Sequence, residues 1–248
     1  MKVSPSIGCV GLLLAMSSPT LGRPTDVIVR VLSQDAKFVG DNTGGASITL
    51  RDARSRKILA RGKTIGATGD TGRIMQAVGR APERHGPDTA SYVASIDIDV
   101  PTLVELEAEG PLGRPQSVIK VTSQRWIMPG ESVAAGDGWL VELPGLAIVP
   151  ALKRREGLLA IEAKVELMCG CPIAPDTTWD ANHYEVIATV MQGTRVVKAV
   201  PLPYAGTTST FAAPVAGLAA GAYRVVITAH NSRTGNTGVA SRDVRVGG

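Results

Sequence analysis

The sequence predicts an all-β protein, two tandem antiparallel β-sandwiches of the immunoglobulin-like class behind a secretion signal. Short runs of aliphatic and β-branched residues alternate with polar ones at a period of two, and Gly, Pro, Asn and Asp punctuate them. No segment sustains helical periodicity. Hydrophobic residues make up 44% and charged residues 19%, a balance that supports a folded chain over a disordered one.

The first residues have the layout of a secretory signal peptide. Lys2 gives a positive start, Ile7 to Met16 form a short apolar run, and Ser17, Ser18 and Gly22 give a small-residue exit. That run is far shorter than the roughly 20 residues a membrane-spanning helix needs, and no later run is long and apolar enough. Cys9 sits inside the apolar run, not after it, which argues against a lipid attachment site. Taking 1–22 as the signal leaves two halves, 23–150 and 151–248, in a protein bound for the periplasm or the cell exterior.

Seven strands are expected in the first half. Val27 to Leu32 opens it, Ala46 to Asp52 alternates as a half-buried strand, and Lys57 to Ala60 returns after a polar turn at Arg54-Ser55-Arg56. Ser91 to Ile98, Thr102 to Ala108, Ser117 to Thr122 and Gly138 to Leu143 complete a sandwich's complement. Between the third and fourth lies Gly62 to Pro87, rich in glycine, with Ile74-Met75 at its centre. It lacks the lysine of a phosphate-binding loop, so it reads as a partner-contact loop.

In the second half, Leu158 to Leu167 alternates from Ala160 onward, as do Tyr184 to Val190 and Arg195 to Val200. A closing hairpin runs from Gly217-Leu218 through Tyr223 and Ala229, turns at Gly235-Asn236, and returns along Ser241 to Val246. The residues Leu218, Gly221, Tyr223, Val225, Ile227 and Ala229 resemble the end of bacterial immunoglobulin-like or fibronectin-like modules. That resemblance implies that Tyr223 caps a turn through its hydroxyl. Val225 stands where antibody-type domains carry a bridging cysteine, so the resemblance does not extend to their inter-sheet disulfide. Gly45 to Asp52 with Ile58-Leu59-Ala60 resembles transthyretin-like or carboxypeptidase-regulatory sandwiches more faintly. Such modules bind, space or assemble, and few catalyse.

The net charge of +4 is spread out. Residues 23–150 carry 15 basic and 15 acidic side chains, and 151–248 carry 10 and 7. Arg51, Arg54, Arg56, Lys57, Arg61 and Lys63 cluster, yet they flank one hairpin turn and form no continuous stripe, which argues against nucleic acid.

With the signal removed, Cys169 and Cys171 in Met168-Cys169-Gly170-Cys171-Pro172 are the remaining thiols. In an extended strand their Cα atoms would lie about 6.5 Å apart on one face, near the upper limit for a bridge, so closure requires a bend at Gly170. Three uses stay open: a local disulfide, a metal site, or thiol exchange. Thiolate, thioether and imidazole donors together favour copper, then zinc, with Met168 and His183 as further ligands. His183 and His85 otherwise read as solvated turn residues. No nucleophile elbow, zinc-protease helix or paired carboxylates stand in a recognisable frame, so the expected role is non-catalytic.

Trp126 and Trp139 flank tight turns, and Trp179 lies near His183. They are candidate contacts for a protein partner in the cell envelope or, second, a carbohydrate. The function expected is therefore that of an exported binding, adaptor or accessory subunit. A periplasmic copper or zinc protein comes next, and a small thiol-disulfide or hydrolytic enzyme third.

Overall fold

The computed structural model describes residues 23–155 and 157–247, and the secretion signal expected at 1–22 lies outside them. The fold is an all-β sandwich arrangement. Strands β1 (Arg23–Ser33), β2 (Ser47–Asp52), β3 (Ile58–Lys63), β4 (Tyr92–Ile98), β5 (Thr102–Gly110), β6 (Ile119–Ile127) and β7 (Trp139–Leu143) form two sheets, ordered β4-β1-β7 and β3-β2-β5-β6. Burial along β5 alternates residue by residue, so Val104, Leu106 and Ala108 face inward against Val29, Val31 and Ile48. One pairing departs from the antiparallel expectation. The 128–138 connection brings the chain across to the other sheet, and β7 arrives parallel to β1 with Val29 opposite Trp139.

β1 is buried on both faces. Val27, Val29 and Val31 enter the sandwich core, while Arg30 and Leu32 on the opposite face are covered as well. Their cover is the glycine-rich segment, which the sequence reads as a partner loop and which packs on its own sheet as a strap. It contains a short helix, α1 (Thr71–Met75), whose first turn is capped by the Asp70 carboxylate accepting from the Arg73 amide at 2.6 Å. Ile74 on α1 forms a small separate core with Leu32 and Phe38. Ile65 and Ser91 exchange backbone hydrogen bonds of 3.0 and 3.1 Å where the strap leaves and rejoins the sandwich.

The second sandwich uses β8 (Leu146–Arg155), β9 (Leu158–Leu167), β10 (Tyr184–Gln192), β11 (Arg195–Pro201), β12 (Thr210–Ala216), β13 (Gly221–Asn231) and β14 (Thr237–Val246). Its sheets are ordered β12-β9-β8 and β11-β10-β13-β14. Leu159, Ile161, Phe211, Val225 and Ile227 fill the space between them. The Tyr223 hydroxyl donates to the Ala219 carbonyl at 2.9 Å, the turn-capping bond expected at this corner.

Only Pro144 and Gly145 separate β7 from β8, and the halves interlock around them. Gly145 has φ of +113°, and a Cβ there would stand 2.9 Å from the Met168 Cε. Its amide donates to Asn236 Oδ1 at 2.7 Å. Arg114 Nη2 lies 2.8 Å from Glu166 Oε2, Asn42 Nδ2 donates to the Cys169 carbonyl at 2.8 Å, and the Ser241 amide donates to Gln116 Oε1 at 2.8 Å. Met168 packs into the first core and Ala36 into the second. The division after residue 150 expected from the sequence falls inside β8.

Candidate functional site

The outer face of the β3-β2-β5-β6 sheet is built by register. Leu103 pairs with Trp126, Glu105 with Gln124, Glu107 with Thr122 and Glu109 with Lys120, so all eight side chains share the face opposite the core. Most of that face is neutralised internally. Glu105 meets Arg56 at 2.8 Å and Arg51 at 3.7 Å, and Lys120 meets Glu107 at 3.1 Å and Glu109 at 2.7 Å. Hydrogen bonds from Gln124 and Arg56 hold the Glu105 carboxyl below its usual range.

The end of the face at Trp126 differs in kind. Its ring is 49% exposed, and Met128 and Val100, which flank the same ends of β6 and β5, are 45% and 64% exposed. Arg54 lies over the ring with its guanidinium carbon 5.4 Å from the centroid. The turn carrying Arg54 is fixed by the Asp52 carboxylate, which accepts from the Arg54 and Ser55 amides at 2.8 Å each. Those two bonds lower the Asp52 pKa. A large aromatic side chain, a stacked cation and exposed aliphatic neighbours thus sit together on a rigid sheet end. Trp126 is legible in the sequence, while Arg54, Val100 and Met128 join it only through the β5–β6 register and the turn geometry.

The other two tryptophans are not exposed on an outer sheet face as Trp126 is. Trp139 is 4% exposed, and its indole N–H donates to Ser123 Oγ at 3.2 Å. Trp179 is also buried, and its N–H donates to the Asp35 carbonyl at 3.0 Å. Both fill core space, the usual fate of a ring this large near a sandwich corner.

The cysteine segment takes the first of its three open forms. Cys169 and Cys171 are joined by a disulfide, with Cα atoms 5.3 Å apart and both residues buried. Gly170 supplies the bend with φ of +71°, and a Cβ there would strike Thr43 and Asn42 at 2.7 and 2.8 Å. The expected ligand set is not brought together. Met168 points into the first core, His183 stands beside Arg233 with its Nε2 3.5 Å from Nη1, and bridged sulfurs offer no thiolate to copper or zinc. No group of three His, Cys, Asp or Glu side chains converges on a metal position among the described residues.

His85, read from sequence as solvated, is instead part of the strap's anchor. Its Nδ1 lies 2.9 Å from Asp137 Oδ1 and its Nε2 3.4 Å from Glu83. The Asp137 carboxylate also accepts from the Arg84 and His85 amides, each at 3.0 Å. Beneath it Arg30 donates to the Asp137 carbonyl at 3.1 Å. Burial lowers the pKa of this guanidinium, and the charges of Asp137 and Glu83 oppose that shift.

No family model matches the chain, and no curated protein matches it in sequence. Solved structures share only a loose likeness. An engineered protein is 19% identical over 49% of this chain and 24% of its own, with a TM-score of 0.30. A DUF3823 family protein from Bacteroides ovatus is 6% identical over 90% of this chain and all of its own, at 0.32. The chicken interferon gamma receptor alpha chain is 9% identical over 92% of this chain and 98% of its own, at 0.33. No helix among the described residues is long and apolar enough to cross a membrane.

Proposed function

We propose that this chain is an exported, non-catalytic binding or adaptor subunit of the cell envelope, working in the periplasm or outside the cell, and that it recognises a protein through the Trp126 end of its first sandwich. The observation that carries the reading is the half-exposed Trp126 ring stacked by Arg54 beside exposed Val100 and Met128. Trp and Arg dominate interface hot spots because a large flat ring and a delocalised cation lose little solvation for the area they bury. The sheet beneath holds them in place, so little ordering cost opposes binding. Arg54 gives this end basic character while Arg56 is paired with Glu105, and the partner fitted to it has an apolar pocket with an acidic rim. The interlocked junction supports an adaptor role, because it lets the second sandwich present the first at a fixed angle. The layout of residues 1–22 supports export.

The test is co-isolation of the partner from cells expressing the full chain, comparing Trp126→Ala and Arg54→Glu with the natural sequence. The Trp126→Ala change is expected to weaken partner binding by about 30-fold or more, the scale of a hot-spot residue. Melting should be nearly unchanged because the ring is half in water. Equal recovery of the partner with all three chains would refute the reading. Retention on a glycan array lost with Trp126→Ala would refute it in favour of a carbohydrate.

A further inference from the structure

A concave surface lies at the seam between the halves, away from Trp126. It is a cleft of about 430 Å³ bounded by Asp35 and Met75 from the first half and by Trp179, Asp180, His183 and Arg233 from the second. Its size is within the range of small-molecule sites, and junctions between modules are a preferred place for them. Leu167 and Tyr184, both buried, continue its apolar wall with Met75 and the Trp179 ring. Tyr184 is held neutral there, since burial pushes its hydroxyl pKa up while a hydrogen bond with Asn231 partly offsets the shift.

The polar groups lining the cleft carry both signs. Arg233 is exposed and joins no ion pair among the described residues. Its one side-chain hydrogen-bond contact there is the 3.5 Å approach of its Nη1 to His183 Nε2. Asp35 uses one carboxylate oxygen to accept from Asn236 at 3.2 Å, and Asp180 uses one to accept from Asn182 at 2.9 Å. Among the described residues, the second oxygen of each carboxylate takes no hydrogen bond.

These features exclude the simpler ligands in turn. A purely apolar molecule would strip water from four polar side chains without replacing their hydrogen bonds. A simple carboxylate would suit Arg233 and His183 but meet two aspartates, and a simple amine would suit the aspartates but meet Arg233. From this we infer that the seam cleft binds a free α-amino acid with an apolar side chain. Its carboxylate faces Arg233 and His183, its ammonium faces Asp35 and Asp180, and its side chain lies against Met75, Trp179 and Tyr184. The site is independent of the Trp126 surface, so either can fail alone.

Calorimetric titration of the full chain with L-phenylalanine tests the assignment, with 3-phenylpropanoate and 2-phenylethylamine as probes lacking one charge. Saturable one-to-one binding is expected for the amino acid, with both analogues weaker by at least about tenfold, as is usual when a charged group in a cleft loses its partner. Arg233→Ala and Asp180→Asn should each weaken binding by a similar factor. Asparagine keeps the turn-capping bond of Asp180, so that variant should fold. Amide and indole NMR shifts on the natural chain give a readout free of mutation and should centre on Trp179, Tyr184 and Arg233. Absence of saturable binding, equal affinity for 3-phenylpropanoate, shifts centred elsewhere, or undiminished binding by Arg233→Ala would each overturn it.

Discussion

Replacing Asp137 by Ala should release the strap while leaving both sandwiches folded. Its carboxylate is 8% exposed and accepts three hydrogen bonds, from two strap amides and the His85 ring. Each such bond to a charged acceptor contributes about 1.5–3 kcal/mol, but the three act as a unit, and water can replace them once residues 83–86 lift away. The loss is therefore bounded by the strap's own attachment, which also includes burial of Ile74 at about 1.5–3 kcal/mol. An effect of about 3 kcal/mol on local opening is expected, or roughly 150-fold faster hydrogen exchange. Amides of residues 66–90 should show this acceleration, while those of β5 and β13 keep most of their protection. Asp137→Asn retains one acceptor oxygen and should fall between the two. Unchanged exchange in the strap, or one uniform loss of protection across the whole chain, would refute the claim that Asp137 is the latch.

Other consequences follow from the same structure. Tyr223→Phe removes the 2.9 Å bond to the Ala219 carbonyl and should cost about 1 kcal/mol in urea unfolding; no loss would mean that the corner is held by ring packing alone. Glu105 has its folded pKa depressed by Gln124 and Arg56, so its contribution is present above the unfolded carboxylate range near 4.5 and lost as pH falls through the lower folded value. Melting temperature measured from pH 5 down to pH 2.5 should therefore fall less steeply for Glu105→Gln than for the natural chain. Protein purified without a metal-affinity tag should show no titratable thiol until reduced, and no stoichiometric copper or zinc by elemental analysis. Metal lost in a Cys169→Ser/Cys171→Ser variant would contradict the bridge.

Much of the fold is legible in the sequence, and what is not has a physical cause. All seven strands of the first half correspond to short apolar or β-branched runs between turn residues, and β4 and β5, each with one wetter face, write their burial into every second residue. The strands that escape sequence reading, β8 and β12, each contain a proline, at Pro150 and Pro214, and both lie at the edges of their sheet. An edge strand tolerates a missing N–H that a central strand could not, so the residue that argues against a strand is permitted where the ladder ends. The strap escapes for another reason. Its glycines and polar residues carry no periodicity, and its attachment depends on Asp137, more than fifty residues away. The same holds for the candidate sites. Trp126 is visible as a large aromatic side chain, but only three-dimensional packing separates it from the buried Trp139 and Trp179. The seam cleft draws residues from positions 35 to 233 that no local pattern connects.

The proposed recognition role of the Trp126 end is tested most directly by placing a photo-activatable cross-linking residue at position 126 in the full chain and irradiating living cells. Position 122, in the middle of the same sheet face, serves as the comparison. One dominant adduct with an envelope protein at 126, abolished by Arg54→Glu and absent from 122, is the result expected. No adduct at 126, or the same adducts from both positions, would contradict it.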